Sequence, residues 1–327
     1  MRILPCFVSL CLCLSTASAQ TLSEKQQREV LVRSAQLMEQ HYVYPDKGKL
    51  LSAALLKAGK DRAYAAIDSV KSFSNGVTAL LQQTVKDGHI YLRYDPAVVK
   101  DLQAPKGNTD SLPDPFYYGE RAEKNNYGFQ EIKILPGGVG YLRLSEINLS
   151  PKSIVLLKAA MELLRHTQAL VLDLRDNGGG GSDMGLVLEG CFVPEGTPLL
   201  EVKKREGAVT QEKAVTAGPE YKYEQPLYVL VNGRTASAAE AFPFTMQRLK
   251  RAVVVGQRTA GAAHMNEWYP AGNDFFLSVA VAAPVFPGTD ISWERTGVQP
   301  DFVTADREED LPLVLRLIAE RHDAARK

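Results

Sequence analysis

With 327 residues, 45% of them hydrophobic and 23% charged, the chain is long enough to bury a sizeable core as one large or two modest domains. Lys plus Arg and Asp plus Glu each total 38, and no long run of either sign breaks the balance, which argues against nucleic acid as the main partner. Beyond residue 19 no apolar stretch is long enough for a transmembrane helix, so stable membrane insertion of the mature chain is not expected.

Residues 1–19 read as a signal peptide. Arg2 gives a short basic start, residues 3–14 form an apolar core too short to span a bilayer, and Ala17-Ser18-Ala19 is a small-residue cleavage site. The mature chain is expected to begin near Gln20 and to be exported, with a Gram-negative periplasm the best-suited compartment and secretion the other; an uncleaved anchor is the competing reading. Cys6, Cys11 and Cys13 leave with the signal, so only Cys191 remains and no internal disulfide can form in the mature monomer.

Residues 20–95 read as an N-terminal helical domain. Val30, Leu31, Ala35, Leu37 and Met38 form an amphipathic stripe that ends at His41-Tyr42-Val43-Tyr44-Pro45. Shorter helical patterns cover residues 47–58, 62–73 and 75–86. The helical part closes at Asp87-Gly88-His89, where the alternating run Ile90-Tyr91-Leu92-Arg93-Tyr94 begins a strand. His89 thus lies at a corner beside a glycine. Such a corner can aim an imidazole at a neighbouring site, although a lone histidine is usually structural or solvent-facing.

Residues 96–128, rich in Pro, Asp and Asn, read as a linker or surface excursion. Residues 129–327 then read as an α/β core. Residues 132–135 and 139–144 form a hairpin around Pro136-Gly137-Gly138, and Ser150-Pro151 starts a helix that runs to about Arg165. The buried-strand run Ala169-Leu170-Val171-Leu172-Asp173-Leu174 empties into Arg175-Asp176-Asn177 and four glycines, 178–181. Consecutive glycines let backbone approach a ligand and expose N–H groups to an anion; a plain flexible loop is the other reading. Strand and helix alternate through residues 184–188, 199–203 and 227–231, which suggests a largely parallel sheet.

Residues 228–231 are again a buried strand, broken by Asn232-Gly233 and followed by an Ala-rich helix from Ala236 to Lys250. Ser237 sits at this strand-to-helix turn, where unpaired N–H groups and the helix dipole favour negative charge. It reads as a nucleophile with the Ala238 amide ready for an oxyanion, or as an N-cap in a capping box with Glu240. Residues 252–256 form a further strand, followed by the loop Thr259-Ala260-Gly261-Ala262-Ala263-His264. A hairpin turning at Ala271-Gly272-Asn273, the segment Ile291-Ser292-Trp293-Glu294-Arg295-Thr296-Gly297 and a terminal helix over residues 308–325 complete the chain.

The segments VLVNGRTASAAE, LVLDLRDNGGGG and WERTGVQPDFV resemble the tail-specific, or C-terminal processing, serine protease superfamily. HYVYPDK, the Asp-Gly-His corner and TAGAAH resemble its branch of interphotoreceptor retinoid-binding protein-like and tricorn-core-like peptidases. The resemblance implies a crotonase/ClpP-like ββα core behind an N-terminal helical bundle. No PDZ signature is recognisable in residues 96–126. The Ser-Lys dyad of the processing proteases has no counterpart: the position of its lysine, counted from Ser237, is Ala262, and no lysine lies between Lys250 and Lys327.

By resemblance to the tricorn-like arrangement, the catalytic set is Ser237, His89 and Glu294, with backbone donors on Ala238 and Gly179. Gly88 stands where that pattern carries a serine bridging to the acid, so a relay to Glu294 would differ here. His264 is a rival base, and Asp87 or Glu240 could each be the orienting acid. Asp173 and Arg175 read as braces for the glycine loop, and Cys191 as a small core residue. No metal-ligand spacing occurs and no cofactor is implied. The expectation is an exported serine peptidase acting on a peptide or protein substrate, of undetermined oligomeric state. The alternative is a non-catalytic module of the same fold holding an apolar ligand or peptide, and an acyl-thioester enzyme is a third, more distant reading.

Overall fold

The computed structural model describes residues 22–104 and 119–326; the signal reading of residues 1–19 lies outside them. Three helices open the described chain: α1 (Glu24–His41), α2 (Pro45–Lys60) and α3 (Val70–Thr84). Ser23 caps α1 through a reciprocal capping box with Gln26, and Pro45 starts α2 from its first turn, where the missing N–H costs nothing. The two short patterns over 62–73 and 75–86 correspond to one helix, α3, because residues 61–66 form turns with Arg62 at positive φ. After β1 (Tyr91–Tyr94), the described ends of residues 96–128 carry two helices, α4 (Pro96–Gln103) and α5 (Glu120–Lys124), where a linker was expected. Asp95 caps α4 by accepting from Ala97 and Val98.

The remaining elements are β2 (Phe129–Leu135), β3 (Val139–Leu144), α6 (Pro151–Leu164), β4 (Ala169–Asp173), α7 (Ser182–Gly190), β5 (Pro198–Lys204), β6 (Val209–Lys213), β7 (Leu227–Val231), α8 (Ala238–Arg248), β8 (Ala252–Gly256), β9 (Met265–Gly272), β10 (Phe275–Val285), β11 (Phe302–Val303) and α9 (Arg307–Arg326). They build two sheets. A six-stranded sheet runs β11-β8-β7-β4-β3-β2, parallel throughout except for the β2/β3 hairpin. In a five-stranded antiparallel sheet, ordered β1-β10-β5-β6, β9 also pairs with β10.

Strand periodicity sorts the core. Leu170, Leu172, Val229 and Val231 point to one face of the six-stranded sheet and pack with Leu157, Met161, Leu188 and Phe242 of the helices. Val171, Tyr228 and Leu230 point to the other face, where they meet Val314 of α9. The N-terminal helices do not close a core of their own. Val30, Leu51, Phe73 and Leu81 share one cluster with Phe275, Leu277 and Val279 of β10, so residues separated by some two hundred positions form one packing unit. Because β4 and β7 are adjacent and parallel, with Asp173 opposite Leu230, the loops that leave their carboxyl ends emerge side by side. That edge carries the glycine run and Ser237.

Candidate active site

Ser237 occupies the residue before α8 with φ 56 and ψ −128, a backbone state that L-residues other than glycine rarely adopt. Flanking bonds hold it there. The Ser237 N–H donates to Glu240 Oε2 at 2.9 Å, and the Ala236 N–H donates to the Asn177 carbonyl at 2.9 Å. Glu240 therefore supplies one half of the capping box. Buried itself, it also accepts from the Gly261 and Ala262 N–H groups at 2.7 and 2.9 Å and from the Thr259 hydroxyl, tying the serine turn to the loop that bears His264. Burial raises its carboxyl above the ordinary range against the pull of these donors.

The glycine loop lies directly against this turn. A side chain on Gly179 would sit 2.8 Å from both the Ala236 oxygen and Ser237 Cβ, at a φ of 102, so glycine alone fits. The Gly179 N–H, however, donates to Asn177 Oδ1 at 2.9 Å, and the Gly181 N–H to the Ile147 carbonyl at 3.0 Å. In this conformation the Gly179 amide expected as an oxyanion donor is thus engaged. Gly180 sits between those two and lines the cavity that Ser237 faces. Ala238 opens α8, so no carbonyl inside the helix is available to its N–H.

His264 and Asp87 form the closest acid–imidazole pair of the site. Asp87 Oδ2 lies 2.8 Å from His264 Nδ1 and accepts from the Tyr42 hydroxyl at 2.9 Å, while Asp87 Oδ1 accepts from the His89 N–H at 2.8 Å. Burial would raise the Asp87 carboxyl; the bond and charge of His264, the His89 amide and Tyr42 together hold it below the usual range. An ionised Asp87 can only accept, so it takes the Nδ1 proton of His264 in a hydrogen bond; in the neutral imidazole Nε2 is then the acceptor. His264 is 6% exposed and packs edge-on against Tyr44, with ring centroids 5.8 Å apart.

Glu294 reaches the same histidine by a different route. Its Oε2 accepts the Ala263 and His264 N–H groups at 2.8 and 3.1 Å and lies 3.9 Å from His264 Nδ1. Burial raises its carboxyl, with the nearby Asp87 charge adding to the effect and His264 opposing it. The ligand atoms of Asp87, His264 and Glu294 fall within 4.8 Å of one another. A cation among them would have to displace the Asp87–His264 hydrogen bond.

His89 is placed differently. Its backbone is fixed at both ends, by the Asp87 carboxylate and by the Ser278 hydroxyl donating to its carbonyl. Its buried Nδ1 has no hydrogen-bond partner among the described residues, and burial pushes its pKa down. Ser237 and His264 line one cavity of about 230 Å³ together with Gly180, Gly181, Ala238 and Trp293; His89 is not part of that lining. Asp173 and Arg175 are fully committed beneath the glycine loop, where Arg175 bridges Asp173 and Asp310 and the Tyr141 hydroxyl donates to Asp173. Cys191 is buried, its thiol pushed up to about 12 by desolvation. The Tyr42 contact to Asp87 escaped the sequence reading, because an aromatic cluster at a helix end is indistinguishable there from packing.

Residues 138–304 match peptidase family S41. The chain belongs to that family. Residues 13–123 also match the N-terminal domain of peptidase S41 in eukaryotic IRBP. Among curated relatives, the carboxyl-terminal-processing protease of Synechocystis sp. is 35% identical over 172 residues, 51% of this chain and 38% of that protein. The chloroplastic carboxyl-terminal-processing peptidase 1 of Arabidopsis thaliana is 31% identical over 178 residues, 54% and 36% of the two chains. This family member therefore spans well under half the length of those relatives in the matched region. Among solved structures, a lipoprotein from Streptococcus agalactiae superposes with a TM-score of 0.60 at 17% identity over 92% of this chain and 97% of that one. The tricorn protease superposes with a TM-score of 0.55 at 13% identity, over 86% and 34%. Those structures share the fold. Among the described residues no helix is long and apolar enough to cross a membrane.

Proposed function

We propose that this S41 family member is an exported serine peptidase in which Ser237 is the nucleophile, His264 the general base and Asp87 the orienting acid. The observation that carries the reading is the 2.8 Å contact from Asp87 to His264 Nδ1, made by an imidazole that shares the cavity of Ser237. In this scheme Nε2 of His264 removes the serine proton as Oγ attacks the carbonyl carbon, and later delivers it to the leaving amine. Water repeats the sequence to release the acyl group. The Ala238 and Gly180 amides face the developing oxyanion, each donor worth about 3 kcal/mol of barrier in comparable sites. Glu294 acts on the same histidine by fixing its backbone and adding negative potential. The acid assigned by resemblance thus becomes a second support, and His89 becomes the residue whose amide steadies Asp87. Export rests on the character of residues 1–19.

The test is covalent labelling by a fluorophosphonate probe. Labelling is expected in the unaltered protein, absent in Ser237→Ala, reduced about 10³-fold or more in His264→Ala, and retained within about tenfold in His89→Ala. Loss in His89→Ala with retention in His264→Ala returns the base role to His89. The apolar walls of the cavity favour one second reading, a non-catalytic module holding an apolar ligand. It prevails if no labelling occurs and such a ligand binds saturably.

A further inference from the structure

The cavity beside Ser237 has walls of aliphatic and aromatic groups, Ile147, Leu200, Phe242 and Trp293 among them, yet Asp183, Glu189 and Glu212 share its lining. Glu189 is 4% exposed and comes from the last turn of α7, where the negative end of the helix dipole disfavours a carboxylate and favours a cation. One of its oxygens accepts from the Thr245 hydroxyl. Glu212 faces the cavity from β6, half-buried. The charged groups that act on this pair are acidic: Glu212 on Glu189, and Asp183 on Glu212. Packing does not require such an arrangement, since an aliphatic residue of similar volume at position 189 would avoid desolvating a carboxyl.

We infer that this cavity receives the basic side chain, lysine or arginine, of a peptide residue flanking the scissile bond. The methylene stem lies along the apolar walls, and the cation meets Glu189 and Glu212. The inference rests on the peptidase reading and adds to it a substrate class. Burial raises both carboxyls, Glu189 to about 8, which is the condition that an arriving cation relieves. An apolar side chain would fill the same volume and leave both carboxyls desolvated.

The experiment is calorimetric titration of the Ser237→Ala chain, which cannot turn over, with two short peptides that differ only in lysine against norleucine. Lysine is expected to bind at least about tenfold more tightly. That advantage should vanish in the same background carrying Glu189→Gln, and again in one carrying Glu212→Gln; the half-buried position of Glu212 keeps the test open if the first variant does not fold. Equal or tighter binding of norleucine, a lysine preference that survives both substitutions, or no binding of either peptide overturns the inference. Fluorophosphonate labelling of the unaltered chain is read separately. Intact labelling beside a norleucine preference removes the basic-residue pocket and leaves the peptidase standing, whereas absent labelling removes the peptidase reading and the substrate class with it.

Discussion

Asp87 holds three groups at once, with one oxygen on the His89 amide and the other between the Tyr42 hydroxyl and His264 Nδ1. A carboxylate so placed does two jobs: it sets the tautomer of the imidazole and stabilises the imidazolium that forms during proton transfer. Asp87→Asn keeps the shape but offers an amide where His264 needs an acceptor. The rate of fluorophosphonate labelling is therefore expected to fall by about 10²–10⁴, with thermal stability nearly retained. A fall below tenfold would assign the orienting role to Glu294, the other carboxylate near that ring. Glu189 gives a second prediction at this scale, in stability. Its folded value of about 8 exceeds its ordinary 4.5, so the folded chain holds a proton that the unfolded chain releases between those two pH values. Below 4.5 both states are protonated and no cost arises; from there to about pH 8 stability declines. Denaturant unfolding of Glu189→Gln against the unaltered chain should show the variant gaining on the order of 3–5 kcal/mol across that window. Glu212 and Asp183 face the same cavity in both proteins, so their effect largely cancels in the difference.

Among the elements, the glycine loop and the serine turn act as one clasp, because β4 and β7 are parallel neighbours whose exit loops bond through Asn177 and Ala236. Gly179→Ala would set a methyl against Ser237 Cβ and the Ala236 oxygen at a φ that alanine rarely adopts. The loop must retreat and carry the neighbouring amides with it. Labelling is expected to drop about 10²–10³-fold, as when an oxyanion donor is lost, while far-ultraviolet circular dichroism shows the fold intact; unchanged labelling would remove this loop from the chemistry. The clasp was legible in the sequence, since a strand run ending in glycines and a second one ending in a serine-bearing turn are local patterns. The strand itself was legible too, as a continuous apolar run, but with Leu170, Val171 and Leu172 all apolar the pattern does not tell one face from the other. The partner of the imidazole was not. His89 and His264 both stand beside small residues in loops, and only the packing of residues 42–87 against the loop after β8 puts Asp87 on His264. Likewise, residues 62–86 carry enough apolar residues for two helices, and positive φ at Arg62 within a run of turns is a tertiary outcome.

At the scale of the molecule, the site is split between parts of the chain that look separable in sequence. Asp87 and Tyr42 come from the helical start, Ser237 and His264 from the α/β part, and the link between them is physical. The Val43 N–H donates to the Ala280 carbonyl, Arg205 donates to the Tyr42 carbonyl, and Phe73 meets Phe275 edge-on at a centroid distance of 5.6 Å. Helices that bury their apolar faces on β9 and β10 cannot leave without exposing Phe275 and Leu277, so the described residues should unfold as a single unit. Phe73→Ala tests this away from the site. Removing a fully buried ring costs about 3–5 kcal/mol. Its consequence can be followed through Trp293, which lies in the other core beside Phe244, after Trp268→Phe silences the second indole. If the two halves are one cooperative body, Phe73→Ala lowers the Trp293 unfolding midpoint as far as it lowers the loss of helical circular dichroism, and labelling of Ser237 disappears over the same denaturant range. If the helices form an independent domain, the Trp293 transition stays where it was while helical signal is lost early. Asp87 would then depart from His264 before the core melts, and labelling would fail ahead of the Trp293 signal.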